Sequence, residues 1–302
     1  MESSSSELAE EPSTVVTIAG WCIALNLPAE YQPLVAAPPY RAFLADGARV
    51  DARLVLRQVA KSDLSPGWMN GARARGRPFT EHPILNCEAV TRRFLSRPAD
   101  ELFVVQRRML DFLRPDTWTM ESYAFPTTDT RQQLRWTLAR LVGSLLAAHQ
   151  GVLLHGSGFV LDGAAGAVIG PSESGKTTAA RLVRGDRLLS DDMVAVTDVD
   201  AQPRLHATPL GREADDAGSA PLRALFFPSK QAGFSLRKMA PWEAAAWAVA
   251  GQGEYLGTLF KPHMGAAIKN IVRLTKEVPV YELGFSLDGI DREAIRRVLT
   301  GS

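Results

Sequence analysis

The chain has 302 residues, of which 46% are hydrophobic and 22% are charged, and its formal net charge is +1. This length allows two domains or one large domain, and the composition is that of a soluble globular protein. The near-neutral charge argues against a dedicated nucleic-acid binder, whose domains are usually strongly basic. No apolar stretch approaches the ~18 to 20 residues that cross a bilayer. We therefore expect neither nucleic acid nor a membrane among the partners.

The N-terminus and the cysteines indicate the compartment. Residues 1–13 are rich in serine and glutamate, which predicts a disordered tail because they offer nothing to bury. They lack the basic-then-apolar pattern of a signal peptide. Cys22 and Cys87 show no metal-binding spacing, which favours a reducing compartment and gives no support for structural zinc. We expect a cytoplasmic protein.

The region 14–126 predicts a small mixed α/β domain without a catalytic signature. β-Branched and aromatic residues predict strands in VVTIAGWCIALNL (15–27), YRAFL (40–44) and ARLVLRQV (52–59). Glycine and proline at 65–78 predict a loop. For ILNCEAVTRRFLS and for ELFVVQRRMLDFL (101–113), the pattern does not decide between helix and strand.

A second domain, 127–302, begins with a predicted helix over 127–150. Its apolar residues recur at three- and four-residue spacing, whereas Arg131, Arg135 and Arg140 fall elsewhere, so we expect one apolar stripe. The stripe comprises Leu134, Leu138, Leu141, Val142, Leu145 and Leu146.

Beyond residue 200, composition predicts a strand and turn in AQPRLHATP and a mobile polar loop at 211–222. RALFFPS (223–229) predicts a buried strand ended by Pro228, and further strand character appears in GFSLRKM and EVPVYELGFSL. Pro241 at a first-turn position predicts a helix to about Val249, and Asp291 is the expected N-cap of a closing helix.

The most informative stretch is 152–196. Its residues Gly170 to Thr177 fit G-x-x-x-x-G-K-[ST], the phosphate-binding loop, between a predicted strand (AGAVIG) and a predicted helix (TTAARLVRG). Glycines let the backbone approach a phosphate chain, and successive N–H groups with the helix N-terminus donate to it. The predicted nucleotide-binding residues are Gly170, Pro171, Ser172, Glu173, Ser174, Gly175, Lys176, Thr177 and Thr178.

An adjacent carboxylate pair, Asp191 and Asp192, follows the apolar start of a strand one short helix later. Mg²⁺ uses one or two carboxylates together with substrate phosphates, and a second carboxylate can accept the proton of an attacking hydroxyl. An isolated Asp-Asp pair is more often a turn or a helix cap. Its place just downstream of a phosphate loop favours the functional interpretation.

These residues together resemble a known family. The segments HGSG (155–158), VLDG (160–163), GPSESGKTT and LSDD (189–192) are similar to the catalytic domain of HPr kinase/phosphorylase. They are closest to the HPr-kinase-like proteins of peptide-modification gene clusters. The resemblance implies an α/β (α+β) fold. Its P-loop domain would have a mixed sheet, as in phosphoenolpyruvate carboxykinase, beside the smaller N-terminal domain.

The resemblance also implies roles. Lys176 would bind the β/γ-phosphates of ATP, Thr177 and Asp192 would ligate Mg²⁺, and Asp191 would be the catalytic base, although the two Asp roles can be exchanged. His155 would lie beside the phosphates as a third catalytic residue. Alternatively, His155 would be an ordinary histidine of the strand, satisfied by hydrogen bonds. Glu173 departs from the family, which commonly has glycine at that position.

The leading hypothesis is therefore an ATP-dependent, HPr-kinase-like phosphotransferase acting on a hydroxyl of a peptide, protein or small molecule. One alternative is a nucleotide-binding regulatory or scaffold protein with little or no activity. A less favoured one is an ordinary P-loop ATPase with a parallel doubly wound sheet. The acceptor stays open, and so does a homo-oligomeric state.

Overall fold

The computed structural model describes residues 14–47, 49–59, 87–106, 109–125, 129–183, 185–287 and 289–301. The predicted tail at 1–13 and the predicted loop at 65–78 lie outside these residues. The chain forms two compact units. The first includes Trp21–Gln32 and Leu44–Thr130, and the second includes Thr17–Gly20, Pro33–Phe43 and Arg131–Ser302. The main break between these units follows Thr130.

The elements before residue 126 build a mixed sheet. In chain order they are β1 (Thr14–Ile18), β2 (Trp21–Asn26), a 3-10 helix (Ala29–Tyr31), α1 (Gln32–Val35), a second 3-10 helix (Tyr40–Phe43), β3 (Ala52–Gln58), α2 (Glu88–Leu95), β4 (Leu102–Gln106), β5 (Met109–Arg114) and β6 (Thr119–Ala124). The described strands form one sheet in the order β1-β2-β3-β6-β5-β4. The pairs β2–β3 and β3–β6 are parallel, whereas β6–β5 and β5–β4 are antiparallel.

The predictions for this region were partly right. The strand at 52–59 is confirmed as β3, and 101–113 contains the β4–β5 hairpin. The predicted strand at 15–27 is two strands, because Ala19 and Gly20 turn the chain with φ of 51° and 86°. The strand predicted at 40–44 is wrong. There the 3-10 helix places Tyr40 and Phe43, three residues apart, on one buried side.

The remaining elements build the larger unit. In chain order they are α3 (Thr130–Ala148), β7 (Val152–Leu161), β8 (Ala164–Ile169), α4 (Lys176–Val183), β9 (Arg187–Ser190), β10 (Met193–Val199), β11 (Gln202–His206), β12 (Ser219–Lys230), β13 (Ser235–Lys238), α5 (Pro241–Gly251), α6 (Gly253–Leu256), α7 (Lys261–Glu277), β14 (Val280–Phe285) and α8 (Arg292–Thr300).

Their sheet mixes both kinds of strand pairing. The order is β11-β10-β7-β8-β12-β14-β13, and β9 also pairs with β7. β12 runs parallel to β8 and β14, whereas β7 runs antiparallel to β8 and β10. A further β11–β12 pairing closes five of these strands into a ring. The sheet is thus mixed, as predicted, and differs from the doubly wound parallel sheet of the least favoured alternative.

Helices cover both faces of this sheet. Phe226 packs in a buried cluster with Ala179 of α4 and Ile295 of α8. Phe227, the next residue of β12, instead packs edge-on against Trp247 of α5, with ring centroids 5.7 Å apart. Because successive strand residues point to opposite faces, α4 and α8 cover one face and α5 the other.

The predicted α3 and α8 helices are confirmed, and Asp291 Oδ1 caps α8 by accepting from the N–H groups of Glu293 and Ala294, both at 3.0 Å. The prediction of a single apolar stripe on α3 was too simple. Arg140 lies off that stripe, yet it is fully buried, and its Nε donates to the Thr258 carbonyl at 2.7 Å. Burial lowers the pKa of Arg140 to about 9.

Two further differences concern β12 and the helices near the C-terminus. β12 begins at Ser219, inside the predicted loop, and it passes through Pro228, where it was expected to end. Its pairing with β8 has already ended at Phe226, and proline is tolerated where no neighbour needs its missing N–H. Helices α6 and α7 were not predicted.

Candidate functional site

The phosphate loop joins β8 to α4 and has a strained backbone. Gly175 has a φ of 98°, and a Cβ at this position would lie 3.1 Å from the Phe285 ring, so only glycine fits. Glu173 also has a positive φ, 65°, while its side chain is exposed. The position where the resembled family commonly has glycine is therefore one that favours glycine on conformational grounds.

Lys176 is the first residue of α4 and folds back over the loop. Its Nζ donates to the Pro171 carbonyl at 2.8 Å, and only 6% of the residue is exposed. Burial lowers the pKa of Lys176, although the carboxylates of Asp192 and Glu254 oppose this shift. The ammonium is thus held at the loop, ready to exchange a carbonyl partner for a phosphate.

The hydroxyl of Thr177 ties α4 to the carboxylate pair. Its Oγ1 donates to the main-chain carbonyl of Asp191 at 2.8 Å, and Ser157 Oγ on β7 donates to the same carbonyl at 2.7 Å. These hydrogen bonds hold the chain before Asp192 against the start of the helix. They position the pair without using either carboxylate.

The two carboxylates have different surroundings. Asp191 Oδ1 accepts from the N–H groups of Arg212 at 2.8 Å and Glu213 at 3.1 Å, so it anchors the loop between β11 and β12. A side chain at Gly211 would collide with this oxygen. Asp191 is 7% exposed and does not line the cavity beside the phosphate loop. Its surroundings favour a positioning role over that of a base.

Asp192 does line this cavity. Its Oδ1 lies 3.0 Å from His155 Nε2, and its Oδ2 forms an ion pair with Nη2 of Arg135 on α3. Burial alone would raise the pKa of Asp192. The His155 hydrogen bond and the charges of Arg135, His155 and Lys176 outweigh burial and lower it. Asp192 is therefore ionised at neutral pH, with His155 Nε2 at one oxygen and the Arg135 guanidinium at the other.

Gln252 fixes the backbone that carries His155. Its Oε1 accepts from the His155 N–H at 2.5 Å, and its Nε2 donates to the His155 carbonyl at 3.1 Å. Beside His155, β8 has already turned into the loop. The buried side-chain amide of Gln252 makes the two main-chain hydrogen bonds that a neighbouring strand would otherwise make. Gly251 next to it approaches the loop, since a Cβ there would lie 3.1 Å from Gly170 Cα.

A cavity of about 690 Å³ brings these groups together. It is lined by His155, Ser172, Glu173, Gly175, Lys176, Thr177, Thr178 and Asp192, together with Lys230, Gln231, Phe285, Ser286 and Leu287. Eight of the twelve predicted site residues line it; Gly170, Pro171 and Ser174 lie in the loop without lining it, and Asp191 is anchored elsewhere.

Sequence reasoning missed several contributors. Lys230, at the end of β12, donates to the Glu173 carbonyl at 3.0 Å, and Phe285 and Leu287 add an apolar wall. Arg135 and Gln252 were also not predicted, because only long-range packing brings them near Asp192 and His155. The one local indication was the position of Arg135 away from the apolar stripe of α3.

Within the described ranges, no three His, Cys, Asp or Glu side chains are grouped so as to hold a metal ion. Among the helices that the structure describes, none has the length and apolar character needed to cross a membrane.

No family model and no curated protein matches the chain. Among solved structures, it is similar to the Hpr(Ser) kinase/phosphatase from Coxiella burnetii, at 11% sequence identity. The match covers 44% of this chain and 78% of that chain, with a TM-score of 0.24. A likeness of this size indicates a distant fold relationship only, and it carries no argument about function.

Proposed function

We propose that the protein is an ATP-dependent kinase that transfers the γ-phosphoryl group to a hydroxyl of a peptide, protein or small molecule. The supporting observation is that one cavity is lined by a phosphate loop, its lysine Lys176 and the hydrogen-bonded pair His155–Asp192. The proposal includes an HPr-kinase-like core of the phosphoenolpyruvate carboxykinase type. The antiparallel strand β7 beside β8 supports this finer classification.

The residues fit a nucleotide with Mg²⁺. Lys176 lines the cavity, and a phosphate can replace the Pro171 carbonyl that its Nζ contacts. The cavity volume is within the range of about 300–1,000 Å³ that is usual for small-molecule sites. For the metal, the available oxygens are Thr177 Oγ1 and Asp192 Oδ2.

In the proposed reaction, a small number of groups have separate roles. Bound Mg-ATP supplies the phosphoryl group and a divalent charge that offsets its oxygens. The loop N–H groups and Lys176 orient the phosphates, while His155 holds Asp192 Oδ1. The bond from the γ-phosphorus to its bridging oxygen breaks as a bond to the acceptor oxygen forms. The acceptor proton passes to the Asp192–His155 pair, and ADP leaves.

A nucleotide-binding regulatory protein without transfer activity is the second candidate. Two observations favour it: Glu173 places a carboxylate beside the loop, and Arg135 is paired with the Asp192 oxygen that we assign to the metal. An ordinary P-loop ATPase fits less well, because its expected parallel doubly wound sheet differs from the mixed sheet described above.

A transfer experiment separates the two candidates. Purified protein with Mg²⁺ and ATP labelled at the γ-phosphate is incubated with a cell extract, and labelled products are resolved. Kinase activity predicts at least one labelled product, which disappears with Lys176→Ala. Tight ATP binding without any labelled product across several extracts would favour the regulatory candidate.

A further inference from the structure

Arg135 is charged, and 21% of its side chain is exposed in the second unit, where its contacts are unusual. Its Nη2 is paired with Asp192 Oδ2, while its Nε is buried and has no hydrogen-bond partner among the described residues. A buried guanidinium N–H without a partner is costly, so the position of Arg135 on Asp192 leaves it incompletely satisfied. A ligand with several acceptor oxygens would satisfy it better.

The same ion pair conflicts with metal binding. Asp192 Oδ1 is already engaged by His155 Nε2 at 3.0 Å, so Oδ2 is the oxygen left for a cation, and Arg135 is paired with it. Two cations at one carboxylate oxygen repel each other strongly in a partly buried site. A divalent ion and Arg135 therefore exclude each other at Oδ2.

A displaced Arg135 would need another anionic partner. Lys176, His155 and Arg135 all act on Asp192. Once a metal neutralises that carboxylate, a terminal phosphate held at the loop by Lys176 would offer the guanidinium a new anion, since Lys176 and Arg135 both act on Asp192. Arginine suits this partner, because its planar fork matches phosphate oxygens in a bidentate manner.

We propose that Arg135 binds the transferred γ-phosphoryl group, and that without nucleotide it rests on Asp192 Oδ2, where it competes with Mg²⁺. The inference rests on the proposed kinase function, and it adds a second cation to the one that the loop provides. Arg135 then exchanges its resting partner for a new anion only when metal and γ-phosphate arrive together. ADP with Mg²⁺ displaces Arg135 without offering a γ-phosphate to receive it.

Binding measurements test this without any turnover. Calorimetry gives the affinities of wild type and Arg135→Ala for ADP and for a non-hydrolysable ATP analogue, each at saturating Mg²⁺. Loss of the competitor is expected to tighten ADP binding about threefold or more, whereas loss of the γ-phosphate contact weakens binding of the analogue about tenfold. The ratio of the two affinities therefore changes by more than tenfold. Affinities that change equally, or not at all, would overturn the proposal.

Matched variants separate this role from a structural one. Arg131→Ala removes an exposed arginine one turn earlier on α3, whose Nη2 donates to the Pro38 carbonyl at 2.9 Å, and it is expected to leave both affinities unchanged. Arg135→Lys keeps the charge and is expected to restore part of the ratio. If Arg135→Ala does not fold, Arg135→Gln serves in its place. Failure of wild type to bind either nucleotide would instead refute the proposed function itself.

Discussion

Asp191 and Asp192 are neighbours in the chain, yet they have different tasks in this structure. Asp191 accepts from two main-chain N–H groups of the β11–β12 loop, while Asp192 lines the cavity with His155 and Arg135. The sequence alone left their roles exchangeable. The geometry supports Asp192 as the reactive carboxylate, with Asp191 as a positioning residue.

Asp192→Asn is predicted to lower phosphoryl transfer by about 10²-fold or more, because it removes a metal ligand and a proton acceptor. Nucleotide binding is expected to survive, since the loop and Lys176 are unchanged. Steady-state transfer and nucleotide affinity are measured in parallel. Unchanged turnover would refute the assignment of Asp192.

Asp191→Ala is predicted to act on stability more than on chemistry. It leaves the N–H groups of Arg212 and Glu213 without their acceptor, which costs about 1–3 kcal/mol of the free energy of unfolding. Urea unfolding measures this loss. Asp191→Asn keeps an acceptor oxygen and is the matched control, expected near wild type. A loss of turnover as large as that of Asp192→Asn, with normal stability, would return Asp191 to the role of base.

At the scale of elements, the phosphate loop adopts a backbone conformation with positive φ angles, which only some of its residues favour. Gly175 meets its positive φ without strain, whereas Glu173 adopts one at 65°. A non-glycine residue in this region costs about 1–2 kcal/mol, and glycine loses about 0.5–1 kcal/mol through chain entropy. The exposed carboxylate also repels phosphates.

Glu173→Gly is therefore predicted to raise the free energy of unfolding by up to about 1 kcal/mol and to tighten ATP binding. Glu173→Gln keeps the strained conformation without the charge, so it is expected to tighten binding without stabilising the fold. Thermal unfolding and calorimetry provide the two readouts. Weaker ATP binding by Glu173→Gly would show that the carboxylate contributes to the site.

Elements were predictable where a local pattern determines the structure. The phosphate loop, α4 and the Asp291 cap on α8 follow from a motif, a periodicity and a capping side chain. The 3-10 helix at Tyr40–Phe43 and the long strand β12 did not follow, because tertiary packing and the end of β8 pairing decide them. The neighbours of the loop in the candidate site were partly predictable. His155 and Asp192 lie close to it in sequence, whereas Arg135 and Gln252 arrive through the fold.

At the scale of the molecule, a half-buried histidine links stability to pH. Burial, assisted by the charge of Arg204, lowers the pKa of His206 to about 4, from 6.5. Its Nε2 lies 2.8 Å from Thr197 Oγ1 on the neighbouring strand β10. Between these pKa values the unfolded chain binds a proton at this residue that the folded chain does not. The stabilisation is therefore present above about pH 6.5 and is lost as the pH falls towards 4.

His206→Gln is predicted to reduce the difference in unfolding free energy between pH 7 and pH 5 by about 2 kcal/mol, because glutamine does not titrate. Glutamine keeps a hydrogen-bonding group for Thr197. Urea unfolding at both pH values is the measurement. Burial also lowers the pKa of His263, which remains in both proteins, so its contribution cancels in the comparison. An identical pH dependence in the two proteins would contradict the prediction.

The single stretch from His155 to Asp192 supplies the loop, Lys176, the proposed metal ligand Thr177 and the His155–Asp192 pair. Other walls of the cavity come from distant elements, with Lys230 from β12 and Leu287 after β14, while Arg135 from α3 pairs with Asp192. The two sets of residues therefore lie in different parts of the sequence. If the proposed transfer is correct, substitutions at Lys230 and Leu287 are expected to alter which molecule is accepted more than they alter transfer, so diversification of the acceptor is expected to concentrate outside residues 155–192 and Arg135.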